Sequence, residues 1–309
     1  MKKLLSIAIV LSCSAIPQLY AQPGSKDVER LDASLDRIIP PSAAVEKLSG
    51  GLIFAEGPLW DRKGGYLLFS DIPANAVMKW SPPAGLSEFW KPVYTGTGAA
   101  KGAEIGTNGL TFDRQGRLVA AEHANRRVSR RDKNGIITVL AERFEGKRLN
   151  SPNDLIVAKN GDIYFTDPDI GLRSVLGGAV GAPDPPGLAE SRELGFNGVF
   201  RLNAQGKLEV MIKDLPAPNG LALSPDEKKL YVDNTLPRKL LMVYDLKADS
   251  TLANGKVFAD MTDEPGMGRP DGMKGRQEWE YLRHRPRRCR DLFAGGQASW
   301  NYTVPRDSL

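Results

Sequence analysis

Short apolar runs, broken by polar turns that usually contain glycine, follow one another along most of this chain. Four stretches share one form: EGPLWDRKGGYLLFSD from Glu56, NGLTFDRQGRLVAAEH from Asn108, NDLIVAKNGDIYFTD from Asn153 and NGLALSPDEKKLYVDN from Asn219. Each begins with an acidic or amide residue, passes through a polar turn and ends in β-prone residues and an acidic group. Gly and Asn supply the positive φ values of tight turns between antiparallel strands. The pattern therefore predicts a β-hairpin in every stretch.

The spacing of these stretches indicates a repeat architecture. A fifth copy starts as DGMK at Asp271, and successive starts lie 52, 45, 66 and 52 residues apart. A further strand follows each hairpin, as NAVMKWS, RRVSRRD, GVFRLN and LLMVYDL. The 66-residue step contains the Gly- and Pro-rich residues 171–197, which we predict to be a surface loop. Short strands repeating every 40 to 50 residues or so are typical of propeller blades, so we predict one all-β propeller and not two domains.

The first residues of the repeats are candidates for a shared site. In a propeller, the innermost strands converge on the central channel, so equivalent positions face one axis. The five first residues all carry side-chain oxygens: Glu56, Asn108, Asn153, Asn219 and Asp271. Such donors suit Ca²⁺, or Mg²⁺ and Mn²⁺ with added water. The chain has two histidines, which excludes a multi-histidine zinc centre. Alternatively, the Asn-Gly pairs are only turn residues.

The motifs around these residues resemble a known family. FAEGPLW, LNSPNDLIVAKNGDIYFTDPDIGL, LPAPNGLALSPDEKKLYVDNT and RPDGMK are similar to the SMP-30/gluconolactonase family, which includes regucalcin, over about residues 45–274. The resemblance implies a six-bladed propeller and a divalent metal in the channel, usually calcium, with magnesium, manganese and zinc as alternatives. It implies metal ligation by Glu56, Asn219 and Asp271. It also implies that Asn153 binds metal or substrate and that Asn108 lies near the substrate.

The resemblance implies hydrolysis of a small-molecule substrate, a sugar lactone. A metal can polarise a lactone carbonyl, and a carboxylate can accept a proton from the attacking water. We assign the base role to Asp271 and predict that Asp271→Asn lowers activity more than about tenfold. Asp154 and Asp167 are secondary candidates, and His123 is expected to be a loop or rim residue. A phosphotriesterase-like hydrolase, a non-catalytic calcium- or sugar-acid-binding propeller, and an interaction scaffold remain open.

Composition and charge narrow the class of partner. Hydrophobic residues make up 41% of the chain and charged residues 26%, which is ordinary for a soluble globular protein. The formal charge of +5 comes from Lys2, Lys3 and an Arg-rich C-terminal segment, and the remainder is neutral. Nothing in this distribution favours a nucleic-acid partner. The oligomeric state does not follow from the sequence.

The N-terminus predicts export. Residues 1–21 combine two lysines, a short apolar run and small residues before Ala21, which is the layout of a secretory signal and too short to span a bilayer. Residues 22–44 then form an N-terminal extension, and the protein is expected in the periplasm or outside the cell. Lipidation at Cys13 is an alternative. With Cys289 as its other cysteine, the mature chain cannot close an internal disulfide.

The repeat pattern stops after Lys274. Residues 275–309 contain seven arginines and no period-2 strand. One interpretation is a basic tail; the other is a slip of the reading frame, since permissible codons read one nucleotide later can restore the missing turn and strands. We expect the frameshift and hence incomplete C-terminal blades. Open sheet edges would then expose unpaired backbone groups and favour aggregation.

Overall fold

The fold is built almost entirely of antiparallel strands. The computed structural model describes residues 36, 39–43, 45–263 and 268–275, in which there are four four-stranded sheets, one two-stranded hairpin and two short helices. The all-β class predicted from the hydrophobic pattern is therefore confirmed. Among the described residues, no helix is both long and apolar enough to cross a membrane.

The strands of each sheet are consecutive in the chain. The first sheet contains β1 (Ala55–Asp61), β2 (Tyr66–Asp71), β3 (Ala76–Ser81) and β4 (Gly85–Trp90), and the second contains β5 (Thr107–Phe112), β6 (Leu118–Glu122), β7 (Arg127–Arg131) and β8 (Ile137–Ala141). A hairpin of β9 (Arg143–Phe144) and β10 (Lys147–Arg148) follows. The third sheet contains β11 (Leu155–Val157), β12 (Ile163–Asp167), β13 (Gly198–Leu202) and β14 (Leu208–Ile212), and the fourth contains β15 (Pro218–Leu223), β16 (Lys229–Asn234), β17 (Leu240–Leu246) and β18 (Leu252–Asp260). Helices α1 (Ile170–Val175) and α2 (Leu188–Ser191) lie between β12 and β13.

The first strands of neighbouring sheets contact one another, as the inner strands of propeller blades do. Strand β5 contacts β1 on one side and β11 on the other, and β11 contacts β15. The four sheets therefore follow one another around a common axis in chain order. The described residues end with 268–275, the start of the fifth repeat. The predicted total of six blades and the incompleteness of the last ones stay predictions.

Alternation along the second strand of each sheet explains how the blades pack. In β6, Val119 and Ala121 join a core between the second and third sheets, whereas Leu118 and Ala120 join a core between the first and second sheets. Successive side chains of a strand point to opposite faces, so a strand between two sheets must be apolar on both. This is why the β-prone runs of the repeats read as nearly continuous hydrophobic sequence.

The start of the fifth repeat packs against the fourth sheet. Met273 is buried against Ala222, Tyr231, Leu241 and Val243. Burying a methionine side chain contributes roughly 1.5–3 kcal/mol. Residues 268–275 thereby pack on the face of the fourth sheet that points away from the third sheet. This packing places Asp271 next to Gly220 in the inner strand β15.

The third strand of each sheet matches the sequence prediction, but other elements do not. The outermost strands, among them β4 and β18, were not predicted, because their many exposed polar residues weaken the hydrophobic period. The region predicted as a surface loop contains α1 and α2, and Leu172 and Leu188 within it are buried. The predicted signal peptide and residues 276–309 lie outside the described residues, so the export and frameshift predictions stay predictions.

Candidate metal centre

In three of the four sheets, the repeat begins at an irregularity in the strand pairing. The pairing register between the first two strands shifts between Glu56 and Leu59 in the first sheet, between Thr107 and Leu110 in the second, and between Pro218 and Leu221 in the fourth. A bulge re-aims the side chains near it and is common beside functional sites. The Asn-Gly pairs at Asn108 and Asn219 therefore lie within the inner strands β5 and β15 and not in the turns between strands. That the repeat starts form a functional ring stays a prediction.

Glycine at the second repeat position lets the inner strands touch. A Cβ atom on Gly57 would lie 2.1 Å from the carbonyl oxygen of Asn108, and one on Gly220 would lie 2.2 Å from that of Asp271. Gly109 shows the same close approach, and its N–H donates to the carbonyl oxygen of Asn153 at 2.7 Å. Each inner segment thus rests on the next one around the axis.

The last segment also meets the first. A Cβ on Gly272 would lie 3.7 Å from Glu56 Oε2, and the negative charge of Asp271 acts on Glu56. Contacts therefore link the five repeat starts of the sequence analysis into one group: Glu56, Asn108, Asn153, Asn219 and Asp271. All but Asp271 are buried, and Asp271 keeps part of its surface accessible.

Side chains of the second strands form hydrogen bonds to the backbone of this group. The Ser70 hydroxyl donates to the carbonyl oxygen of Asn108, and the Thr166 hydroxyl donates to that of Asn219, both at 2.7 Å. The register places Asp233 at the equivalent position of the fourth sheet, next to Gly220. Within the described part of the chain, neither carboxyl oxygen of Asp233 has a hydrogen-bond partner. Burial, and then the charges of Asp271 and Asp154, raise the pKa of Asp233 well above its usual value.

Carboxyl groups dominate the electrostatics of the centre. Burial and the charge of Asp271 raise the pKa of Glu56, and burial likewise raises the pKa of Asp271 despite hydrogen bonds from Gly272 N–H and the Asn219 side chain. Asp154 accepts a 2.8 Å bond from Lys274 Nζ and a 3.3 Å bond from the Met273 N–H. Ionised carboxyl groups that are buried close together repel one another, and a cation between them stabilises them. The ammonium group of Lys274 supplies part of this positive charge.

The residues present fit a divalent cation with a preference for oxygen. Asn219 is 5% exposed, and its Oδ1 has no hydrogen-bond partner among the described residues. An orphaned buried carbonyl oxygen beside two desolvated carboxylates is the donor set that Ca²⁺ takes. No cluster of three His, Cys, Asp or Glu side chains at metal-binding distance occurs in the described ranges. A centre here would therefore depend on amide oxygens as well as on Glu56 and Asp271.

The sequence analysis ranked four functional candidates too low or missed them. Asp154, a secondary candidate, lies within the group, and its partner Lys274 was not considered. His123 was expected to be a loop or rim residue; it lies in the turn after β6, as a loop residue, but it is fully buried, and its Nε2 lies 3.4 Å from Asn108 Nδ2. Glu104 was missed, because nothing in the repeat marks it. Burial and the charge of Asp271 raise the pKa of Glu104 to about 7.

Asp167, the other secondary candidate, binds the segment that precedes Asn153. It is fully buried at the end of β12, and its Oδ2 accepts the Asn150 N–H at 2.8 Å. Burial raises the pKa of Asp167 to about 7. Its contacts hold the segment before Asn153 against β12, which is a structural role.

Asp167→Asn should make the protein more stable at neutral pH and leave activity unchanged. Because the folded-state pKa is raised, the stability of the neutral carboxyl is fully present below the unfolded value of 3.8 and is lost as the pH rises through about 7. The gain in free energy of unfolding should therefore grow by roughly 2–4 kcal/mol between pH 4 and pH 8. Urea unfolding of both proteins at the two pH values measures it, and a difference that does not change with pH would contradict this role.

A cavity of the described structure lies elsewhere. It has a volume of about 690 Å³ and is lined by residues of the α1–α2 insertion and of the loops before β15 and after β16, including Arg173, Arg192 and Lys213. None of the five repeat starts lines it. The position of the candidate centre thus follows from buried polar chemistry and not from cavity size.

Fold and site together define a β-propeller with a polar, acidic group at its inner strands. Over residues 54–278 the sequence matches the SMP-30/Gluconolactonase/LRE-like region. This chain belongs to that family, and the resemblance seen in the sequence is confirmed.

Individual relatives agree with this assignment. A gluconolactonase of Zymomonas mobilis is 35% identical over 254 residues, which are 80% of this chain and 68% of the relative. A solved Xanthomonas campestris gluconolactonase, described as important in glucose secondary metabolism, is 35% identical with a TM-score of 0.58, over 72% of this chain and 66% of that one. A further structure, solved as a proposed gluconolactonase, is 30% identical with a TM-score of 0.61, over 78% and 75%. The chain thus spans about two thirds of the first two relatives.

Proposed function

We propose that the protein hydrolyses sugar lactones at a divalent cation, with calcium as the natural ion. The observation that carries the proposal is the orphaned Asn219 Oδ1, buried beside Glu56 and Asp271 in a member of a family that contains gluconolactonases. Glu56, Asn153, Asn219 and Asp271 would hold the ion. When bound, the ion supplies Lewis-acid chemistry, polarising the lactone carbonyl and stabilising negative charge on oxygen.

Asp271 is the base in this proposal. The Gly272 N–H and the Asn219 side chain hold the orientation of its carboxylate, which can accept a proton from water. Asp271 takes a proton from water as the water oxygen bonds to the acyl carbon. The bond between the acyl carbon and the ring oxygen then breaks, and the proton passes to that oxygen. The product is a hydroxy acid.

Three neighbouring side chains would take part in substrate binding. Asn108, buried at the start of β5, faces the substrate as a hydrogen-bonding group, and Asn153 is shared between ion and substrate. Lys274, bonded to Asp154 and partly exposed, balances the charge of the carboxylates and attracts the acid product.

The direct test is lactone turnover with and without calcium. Hydrolysis of glucono-δ-lactone that disappears with a chelator and returns with Ca²⁺ supports the proposal. Turnover of phosphotriesters but not of lactones would favour the phosphotriesterase-like alternative. Calcium binding without turnover of either would make the protein a binding module, and absence of calcium binding would leave the scaffold interpretation.

Glu56→Gln should weaken calcium binding and leave turnover at saturating calcium nearly unchanged. Removing one of two carboxylate donors lowers calcium affinity, so the calcium concentration for half-maximal activity should rise at least about tenfold. At saturating calcium, turnover should return to within a few-fold of the parent protein. The matched control is Glu88→Gln on the exposed outer strand β4, which should leave the calcium dependence unchanged. A Glu56→Gln protein with unchanged calcium dependence would remove Glu56 from the ligand set.

A further inference from the structure

His123 is buried between the candidate centre and the α1 insertion. It follows β6 and has no exposed surface. A Cβ on Gly171 would lie 2.4 Å from its Cγ, so the start of α1 packs directly on the imidazole ring. Its backbone N–H also donates to the Gly106 carbonyl oxygen at 3.0 Å. The ring is held in one position from both sides.

The two ring nitrogens of His123 face different partners. Nδ1 lies 3.8 Å from Glu104 Oε2, and Nε2 lies 3.4 Å from Asn108 Nδ2. A neutral imidazole has one N–H and one bare nitrogen, and the partner of the N–H decides which nitrogen carries it. Among the described residues Nδ1 has no hydrogen-bond partner, and at 3.8 Å the Glu104 carboxyl acts on it only through its charge, which favours the proton there and leaves Nε2 as an acceptor. Burial lowers the pKa of His123 to about 4, so the ring is neutral at neutral pH.

An acceptor at Nε2 decides which way the Asn108 amide points. Its NH₂ group must face His123, because Oδ1 in that position would meet the lone pair of Nε2. Oδ1 is then turned away from His123. A carbonyl oxygen accepts hydrogen bonds and cannot donate, so it selects hydroxyl groups and rejects a plain ether or methylene.

We propose that Glu104 and His123 are positioning residues that hold the Asn108 amide with its oxygen toward a substrate hydroxyl, so that the enzyme selects hydroxylated lactones. This inference rests on the proposed function. It names the residues by which the site would recognise the ring hydroxyls of a sugar lactone, and it assigns a role to the buried His123 and the half-buried Glu104, which lie outside the ligand set.

The tautomer of His123 can be observed without any assay of activity. The sequence contains two histidines, His123 and His284, so ¹⁵N NMR of histidine-labelled protein is simple to assign with a His284→Gln variant. We expect His123 at pH 7 to be neutral, with its proton on Nδ1. Glu104→Gln should keep the ring neutral but reduce the population with the proton on Nδ1. A ring with its proton on Nε2 in the parent protein would overturn the proposal.

Selectivity is the second measurement. Glucono-δ-lactone and δ-valerolactone, which lacks ring hydroxyls, are compared in the parent protein, His123→Phe and His123→Gln. In His123→Phe the KM for glucono-δ-lactone should rise about tenfold while kcat and the kinetics of δ-valerolactone change little. His123→Gln should retain most of the selectivity, because its side-chain oxygen can accept from Asn108 Nδ2. Loss for both substrates alike, or selectivity unchanged in His123→Phe, would overturn the proposal.

The two measurements separate this inference from the proposed function. If the parent protein hydrolyses neither lactone, the proposed function fails, and gluconate binding by calorimetry replaces turnover as the readout. His123→Phe should then weaken gluconate binding about tenfold and His123→Gln should not. Gluconate binding that is absent from the parent protein, or equal in both variants, would contradict the positioning role.

Discussion

Replacing Asp271 by asparagine is expected to lower lactone turnover by about 10²- to 10³-fold, the usual contribution of a positioned general base. Asparagine has nearly the same shape, can still accept the Gly272 N–H and carries no proton acceptor of comparable strength. The free energy of unfolding should change little. Steady-state kinetics at saturating calcium, with a thermal melt of the same sample, measures both effects.

Calcium separates the role of Asp271 from that of Glu56. Both variants lose a carboxylate next to the proposed ion, but only Glu56→Gln should recover turnover when calcium is raised. Asp249→Asn, in the exposed turn before β18, is the matched control and should behave like the parent protein. Turnover of Asp271→Asn that recovers fully in excess calcium would show that Asp271 is only a ligand and would remove it from the base role.

Replacing Gly57 by alanine should be the most damaging single-methyl change in the inner strands. Gly57 has a φ of +58°, and an added Cβ would lie 2.1 Å from the Asn108 carbonyl oxygen, which is backbone and cannot move alone. The left-handed backbone costs about 1 kcal/mol with a side chain, and the clash must displace the first two inner strands. We expect a loss of about 3–5 kcal/mol in the free energy of unfolding, or failure to fold.

Gly116→Ala is the control that isolates the close approach. Gly116 has a φ of +72°, but a Cβ there meets no atom within 4 Å. Its substitution should cost only the backbone strain, about 1 kcal/mol. Chemical denaturation of the two variants gives the comparison. Equal losses would mean that backbone conformation alone explains Gly57 and that the inner strands do not depend on contact between Gly57 and Asn108.

The phase of the repeats was enough to predict the inner group, since Glu56, Asn108 and Asn219 occupy the same place in a pattern that specifies local hairpins. The glycine at the next position is visible in the sequence motif, but it is required by a contact with the following repeat, which is distant in the sequence. Asp271 could be predicted from the short motif DGMK alone, because the four earlier repeats had shown which position of the motif carries the side-chain oxygen. Predictions of this kind need only the order of short motifs in the chain.

The remaining features depend on packing between distant segments. His123 reads as an ordinary loop histidine, and only the approach of α1, through Gly171, buries it. Lys274 meets Asp154 across 120 positions of sequence, and no periodicity encodes such a pair. The outer strands were missed because exposed polar residues are equally compatible with a strand and with a loop. Local patterns thus predicted which residues begin the repeats, whereas the buried and charged neighbours of these residues could be identified only from the three-dimensional structure.

The central claim is that Glu56, Asn153, Asn219 and Asp271 together hold a divalent cation. A crystal structure of the protein grown with Ca²⁺, with anomalous scattering to identify the ion, tests it most directly. The account predicts one ion at the inner strands, with side-chain oxygens of these residues at roughly 2.3–2.6 Å, including Asn219 Oδ1. An ion bound elsewhere, or an inner group that stays free of metal at saturating calcium with Asn219 Oδ1 bonded to a protein donor, would contradict it.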